Sequence, residues 1–129
     1  MREKDFENMV KAFLKEKGCW FLKTWSNGIQ REGVPDILAC CNGYFLGIEL
    51  KAQNGKPSEL QLWNIEKIRK AGGIGIVLYP DQFEQFQLLI HQLRYDNNKE
   101  LHSAWKDYQT EFDRKTRKEE RGMNHGKLV

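Results

Sequence analysis

The chain has 129 residues, of which 40% are hydrophobic and 30% charged, and its formal net charge is +3. Such a composition is typical of one globular domain and excludes a disordered chain, and the small net charge by itself gives little support for nucleic-acid binding. No apolar run approaches the roughly 18 residues of a membrane span, and three cysteines in neither a disulfide nor a zinc pattern indicate a reduced, cytoplasmic setting.

The first third of the chain begins with a helical pattern. Apolar residues at helical spacing predict a helix over 3–17, which Gly18 ends. The aromatic-rich segment 19–25 predicts a strand, and a polar segment bounded by glycines, 26–33, predicts a loop.

A hairpin and a second helix are predicted next. Two short apolar segments flank Asn42 and Gly43, and Asn-Gly is the strongest short signal for a two-residue type I′ turn. Ser58 is a good N-cap for a helix over 58–71, and a glycine pair follows that helix.

The remaining elements complete an α/β pattern. Residues 74–79 predict a buried strand, and Asp81 is suited to cap a helix over 82–94. The order α-β-β-β-α-β-α indicates an α/β fold, a mixed β-sheet flanked by helices. We expect a domain over 1–95 and a C-terminal helical extension with a charged tail over 96–129.

The predicted extension carries a narrow apolar stripe at helical spacing, formed by Leu101, Trp105, Tyr108 and Phe112. We expect this stripe to pack either on the domain or on a second copy of it.

Charged residues stand at the open end of the predicted hairpin. With Asn42 and Gly43 in the turn, Asp36 falls directly opposite Glu49, with Cβ atoms about 4.5–5.5 Å apart, and Lys51 projects from the same face. Opposed like charges are destabilising unless a proton or a cation offsets them. Mg²⁺ commonly takes one or two carboxylates, so the arrangement suits that ion. A lysine beside it could activate a water or stabilise charge on phosphorus.

The same residues permit a plainer interpretation. Asp36 could start a strand after Pro35, and Glu49 with Lys51 could be an exposed pair at the rim of a sheet. A bulge or a longer turn would also change the pairing on which the metal site depends.

Pro35-Asp36 and Glu49-x-Lys51 match the signature of PD-(D/E)xK nucleases. More narrowly, the block 33–79, "GVPDILACCNGYFLGIELKAQNGKPSELQLWNIEKIRKAGGIGIVLY", resembles the virus-type replication-repair nuclease (VRR-NUC) domain, and the resemblance covers about residues 1–80. It implies a restriction-endonuclease-like fold and metal-dependent hydrolysis of DNA phosphodiester bonds.

The resemblance also implies roles for individual residues. Asp36 and Glu49 would be metal ligands together with the backbone carbonyl of Leu50, and Lys51 would be the catalytic lysine. An acidic residue on the first helix reaches the metal in this family, and Glu7 is the best match. The implied cofactor is Mg²⁺, with Mn²⁺ as a substitute.

Two of the implied site residues have alternative interpretations. Glu7 could instead be a surface helix residue paired with Lys11 at i+4. Gln61 matches a glutamine of the family motif that lies near the metal waters or the scissile phosphate and so belongs with the catalytic set. It could also complete a capping box with Ser58.

The strand and loops expected around the site carry candidate DNA contacts: Lys23, Trp25, Ser26, Gln30, Arg31 and Lys56. Contacts from such residues to phosphates would position DNA without reading its sequence. Taken singly, each also fits an ordinary surface residue.

These features together predict a Mg²⁺- or Mn²⁺-dependent DNA endonuclease. Small members of the family act on branched DNA as dimers, so a Holliday junction or a flap is the expected substrate and a homodimer the expected assembly. A phage origin is suggested by the resemblance and the small size. The alternatives are a sequence-specific restriction-type nuclease and a non-catalytic DNA-binding subunit on the same fold.

Overall fold

The computed structural model of the protein describes residues 1–25, 32–95, 112–114 and 116. Their helices and strands are α1 (Glu3–Glu16), β1 (Trp20–Lys23), β2 (Ile37–Cys41), β3 (Tyr44–Leu50), α2 (Glu59–Lys70), β4 (Ile74–Leu78) and α3 (Phe83–Arg94). The predicted order α-β-β-β-α-β-α is confirmed. Within the described residues, no helix is both long enough and apolar enough to cross a membrane.

The four strands form one mixed sheet in the order β1-β2-β3-β4. β1, β2 and β3 are antiparallel neighbours, whereas β3 and β4 are parallel. Parallel neighbours need a crossover connection, and α2 supplies it. The backbone N–H of Lys51 continues the β3–β4 pairing by donating to the carbonyl of Leu78 at 3.1 Å.

The β2–β3 hairpin has the predicted register. Asn42 and Gly43 have φ angles of 51° and 85°, the left-handed values that a type I′ turn requires. Cys41 pairs with Tyr44, and the ladder runs to the pair Ile37–Ile48. Asp36 lies one residue beyond that pair, at the open end of the hairpin.

The main core lies between the sheet and the helices α1 and α3. One side of each helix is buried there, as are alternate residues of β2, β3 and β4. Phe13 of α1 contacts Phe83 and Phe86 edge to face, with ring centroids 5.7 and 5.9 Å apart. This edge-to-face geometry is preferred over direct stacking and fixes the two helices against each other.

α2 packs on the opposite face of the sheet, where two glycines allow a close approach. Gly47 of β3 and Gly75 of β4 are direct neighbours in the ladder. A Cβ atom at Gly75 would lie 2.7 Å from the backbone oxygen of Ile65, and one at Gly47 would meet Cδ1 of Ile68. The absence of side chains at these positions therefore sets the distance between α2 and the sheet.

A short part of the C-terminal segment packs on the same core. Phe112 is 1% exposed, and its carbonyl accepts a hydrogen bond from Nε2 of Gln82 at 3.0 Å. Arg69 makes a bidentate ion pair with Asp113, with N–O distances of 2.6 and 2.7 Å. The domain boundary at residue 95 stays a prediction, and Leu101, Trp105 and Tyr108 lie outside the described residues.

The prediction that Asp81 caps α3 is wrong. Pro80–Gln82 form a turn of 3₁₀ helix, and Gln82 occupies the N-cap position of α3 without a side-chain cap. Asp81 lies inside this turn, and its carboxylate accepts from Nε2 of Gln53 at 3.0 Å instead. Proline favours the first position of a helical turn, which explains why the turn begins one residue before Asp81.

Substituting Gly75 by alanine tests the packing of α2. We expect Gly75→Ala to lower the free energy of unfolding by about 1–3 kcal/mol, because its Cβ would press on a backbone atom that cannot rotate away. Gly47→Ala is the matched control, since its closest contact is the end of a flexible side chain, and it should cost less. Urea denaturation of both variants measures the difference, and equal losses would contradict this account of the packing.

Substituting Phe112 tests the contribution of the C-terminal segment to the core. Phe112→Ala should lower the free energy of unfolding by about 3–5 kcal/mol, the range for a buried phenylalanine. Phe45→Ala, at a residue 45% exposed on the sheet, should cost much less. Thermal and chemical denaturation measure both, and a Phe112 variant as stable as the wild type would show that the segment does not support the core.

Candidate active site

The open end of the hairpin holds Asp36 in a defined position. Its Oδ2 accepts a hydrogen bond from the backbone N–H of Leu50 at 2.8 Å. Its backbone carbonyl accepts from the N–H of Thr24 at 2.8 Å. The Thr24 hydroxyl also donates to the carbonyl of Pro35 at 2.7 Å. The Asp36 carboxylate is therefore tied to β3, and its backbone is tied to the residue that follows β1.

Glu49 is the least exposed of the site carboxyls, at 2%. Its Oε2 accepts from Nε2 of Gln61 at 2.8 Å and lies 3.5 Å from Nζ of Lys51. Within the described part of the chain, nothing donates a hydrogen bond to its buried Oε1. Burial, reinforced by the neighbouring Asp36 carboxylate, raises the pKa of Glu49 to about 8. Two carboxyls this close need a proton or a cation to offset their repulsion.

The capping box predicted for Gln61 is confirmed, and its place in the catalytic set stays a prediction. Its side-chain oxygen accepts from the N–H of Ser58 at 2.8 Å, and its own N–H donates to the Ser58 hydroxyl at 3.1 Å, which is a capping box. The remaining amide N–H₂ group points to Glu49. The start of α2 therefore fixes the orientation of a site carboxylate.

Glu7 is held by three lysines. Its Oε1 lies 2.9 Å from Nζ of Lys23, and its Oε2 lies 3.1 Å from Lys11 and 3.2 Å from Lys4. Burial acts to raise the pKa of Glu7, but the three ammonium groups outweigh it and lower the pKa to about 2. The predicted i+4 pairing with Lys11 is confirmed, and metal ligation by Glu7 stays a prediction.

Lys23 connects Glu7 to the hairpin site. Its ammonium also lies 3.4 Å from Oδ1 of Asp36, so it stands between carboxylates of α1 and of the hairpin. Burial acts to lower the pKa of Lys23, but the two carboxylates raise it. Its structural role is therefore an internal counter-ion, and a contact to DNA phosphate stays a prediction.

A cleft of about 410 Å³ opens between the first turns of α1 and α2. It is lined by Lys4, Glu7, Lys23, Thr24, Trp25, Glu32, Gly33, Val34, Asp36 and Gln61. Asp36 forms part of its wall, so the cleft gives a substrate access to the edge of the carboxyl pair.

The donors at the hairpin fit a divalent cation with partial protein coordination. Among the described residues, no three His, Cys, Asp or Glu side chains form a ready metal cluster, and Glu7 is not brought into one group with Asp36 and Glu49. Mg²⁺ usually binds through only one or two carboxylates and keeps several waters. The buried, unpartnered Oε1 of Glu49 beside Asp36 is an oxygen that such an ion would satisfy.

The other predicted DNA contacts are only partly described. Ser26, Gln30 and Arg31 lie outside the described residues, and Lys56 is exposed on the connection that leads to α2. Sequence reasoning did not include Lys4, although its i, i+3 spacing from Glu7 was a usable signal.

Two carboxyls, a lysine and a glutamine at the end of a hairpin in a mixed sheet match the pattern of the PD-(D/E)xK nuclease superfamily. Within that superfamily, the model of the archaeal Holliday junction resolvase (Hjc) family matches residues 1–81. The chain belongs to this family, whose members are nucleases that act on branched DNA. The match confirms the restriction-endonuclease-like α/β fold. No curated protein matches the chain.

The double role of Gln61 can be separated by two alanine variants. Ser58→Ala and Gln61→Ala each remove half of the capping box, and each should lower the free energy of unfolding by about 1 kcal/mol. Only Gln61→Ala also removes the donor to Glu49, so only this variant should cut a four-way junction more slowly, by about 10-fold. Denaturation and single-turnover cleavage measure the two effects. Equal rates for both variants would contradict a role of Gln61 in the site.

Proposed function

We propose that this protein is a Mg²⁺-dependent endonuclease, with Mn²⁺ as a substitute, that hydrolyses phosphodiester bonds at Holliday junctions. The observation in its favour is the Glu49 carboxyl, which is buried against Asp36 with one oxygen unpartnered and its pKa raised to about 8. Perturbed carboxyls beside a cleft are typical of a reaction centre.

Asp36, Glu49 and the backbone carbonyl of Leu50 would hold the cation. When bound, the cation would act as a Lewis acid that polarises the scissile phosphate. Membership of a nuclease family and the two opposed carboxyls support this assignment. Glu7 stays an additional candidate ligand, on condition that its lysine partners release it.

Lys51 and Gln61 would act from the protein side. The Lys51 side chain is 16% exposed, and its ammonium lies 3.5 Å from Oε2 of Glu49. It would orient the attacking water and stabilise the negative charge that develops on the phosphate oxygens as the bond to the leaving oxygen breaks. Gln61 would keep the Glu49 carboxylate in place throughout the reaction.

We propose a homodimer as the active form. A four-way junction presents two strands of like polarity for cleavage, and a two-fold symmetric dimer would present two copies of the site to them. We also propose a cytoplasmic, intracellular location, which membership of a DNA-acting nuclease family supports. We also propose the finer assignment to the VRR-NUC domain, which the resemblance of the sequence block 33–79 supports. The same resemblance is the support for a phage origin.

A non-catalytic DNA-binding subunit has less support. Burying a carboxyl beside another carboxyl costs stability, and a module that only binds DNA does not need this cost. For a sequence-specific nuclease, the described residues contain no helix or ribbon identified as entering a groove to read bases.

Cleavage of labelled DNA by matched variants tests the proposal. With Mg²⁺ or Mn²⁺, the wild type should cut a four-way junction faster than a flap or a linear duplex, and EDTA should abolish cutting. Asp36→Asn and Glu49→Gln should lower the rate by about 100-fold or more, because each removes charge where the cation binds. Asp81→Asn, a carboxylate bound to Gln53 outside the site, should keep the wild-type rate.

A second measurement does not depend on cleavage. Mg²⁺ should raise the thermal midpoint of the wild type and of Asp81→Asn, but not that of Asp36→Asn. Metal-independent cutting, or equal rates for Asp36→Asn and Asp81→Asn, would refute the mechanism. Equal cutting of all three DNA substrates would refute the preference for junctions.

A further inference from the structure

Trp25 stands at the wall of the active-site cleft with most of its surface exposed. Its side chain is 63% exposed and lines the same cleft as Asp36 and Gln61. An indole is a large, flat aromatic surface, so the exposed part of Trp25 beside a reaction centre offers a contact surface for a substrate.

The residue before Trp25 ties the chain to the start of β2. The backbone N–H of Thr24 donates to the carbonyl of Asp36 at 2.8 Å. Its hydroxyl lies 2.7 Å from the carbonyl of Pro35 and 3.2 Å from that of Asp36. These hydrogen bonds anchor the end of β1 to the start of β2, and Trp25 and Asp36 line the same cleft.

The charges of the described cleft lining do not by themselves attract a DNA backbone. Among the residues that the structure describes, the lining contains two lysines, Lys4 and Lys23, and three acids, Glu7, Glu32 and Asp36. Both lysines are already within ion-pair distance of Glu7. Contacts to phosphate depend on released counter-ions and favourable charge, whereas base stacking on an aromatic ring does not. For the described part of the lining, a neutral platform therefore suits DNA better than phosphate contacts do.

Branched DNA offers a base that can stack on an exposed indole. Inside a continuous duplex both faces of each base are covered by neighbouring bases. At a branch point the stack ends or opens, and a base face becomes available to an aromatic side chain. An indole near the cleavage centre can therefore recognise the branch without reading its sequence.

We infer that Trp25 is a stacking site for a nucleobase at the branch point, and that it favours junctions over linear duplex at the cleavage centre. This assignment rests on the proposed function, since it requires branched DNA in the cleft. It adds a residue that recognises branched shape to a site whose other members act on the phosphate.

Binding measurements with matched tryptophan variants test the inference. Trp20 is also 63% exposed but lies at the opposite end of β1, so Trp20→Ala is the control for loss of an exposed indole. Junctions with 2-aminopurine at the branch point and matched linear duplexes would be titrated with Ca²⁺ in place of Mg²⁺. Light scattering would verify that all variants have the same oligomeric state.

Trp25→Ala should bind the junction about 10-fold more weakly, within the range measured for loss of one base–aromatic stack, and should bind the duplex as the wild type does. Its weakening should be the same at low and high salt, because stacking releases no counter-ions. Trp25→Phe should retain most of the affinity, and Trp20→Ala all of it. Quenching of 2-aminopurine should be lost only in Trp25→Ala.

Two results would overturn the inference: equal binding by Trp25→Ala and Trp20→Ala, or an equal loss by Trp25→Ala on junction and duplex. Failure of the proposed function would give a different result, a wild type that binds junctions but does not cut them in Mg²⁺ or Mn²⁺. The binding of Trp25→Ala could still be compared with that of Trp20→Ala in this case. A wild type that binds no junction would overturn both.

Discussion

The buried contact between Glu49 and Asp36 is the constraint on which the site depends. Removing a carboxyl from water disfavours its charge, and a second carboxyl beside it adds repulsion. The protein opposes both effects with the Gln61 amide and the Lys51 ammonium on one oxygen of Glu49, and leaves the other oxygen buried without a donor among the described residues. The proposed divalent cation would offset this cost, since Mg²⁺ commonly binds through one or two carboxylates.

Helices on both faces of the sheet contribute residues to the site. Glu49 and Gly47 point to the face that α2 covers, while alternate residues of β3 fill the main core. Because Gly47 and Gly75 let α2 approach the sheet closely, Gln61 in its first turn reaches Glu49. On the other face, α1 brings Glu7 to Lys23, and Lys23 in turn contacts Asp36. The site is therefore built from both layers of helices.

The hairpin and the placement of its charged residues were predictable because they depend on local rules. An Asn-Gly turn sets the register, and the two-residue period of a strand then sets the faces, so the positions of Asp36, Glu49 and Lys51 follow. Contacts between distant segments were not predictable in this way. The bridge from Lys23 to Asp36 and the burial of Phe112 depend on how separate elements pack. The cap of α3 was missed because Pro80 starts a 3₁₀ turn that no periodicity indicates.

The parallel pairing of β3 with β4 has a consequence for when the protein becomes reactive. Such a pair cannot form until the crossover through α2 has closed, and closures over longer separations form more slowly than a hairpin. Before that closure the hairpin alone would leave the Glu49 carboxyl exposed to water. The amide of Gln61 would not yet contact it. A partly unfolded chain therefore carries the signature residues but not the burial that raises the pKa of Glu49. The proposed activity would accordingly require the completed fold.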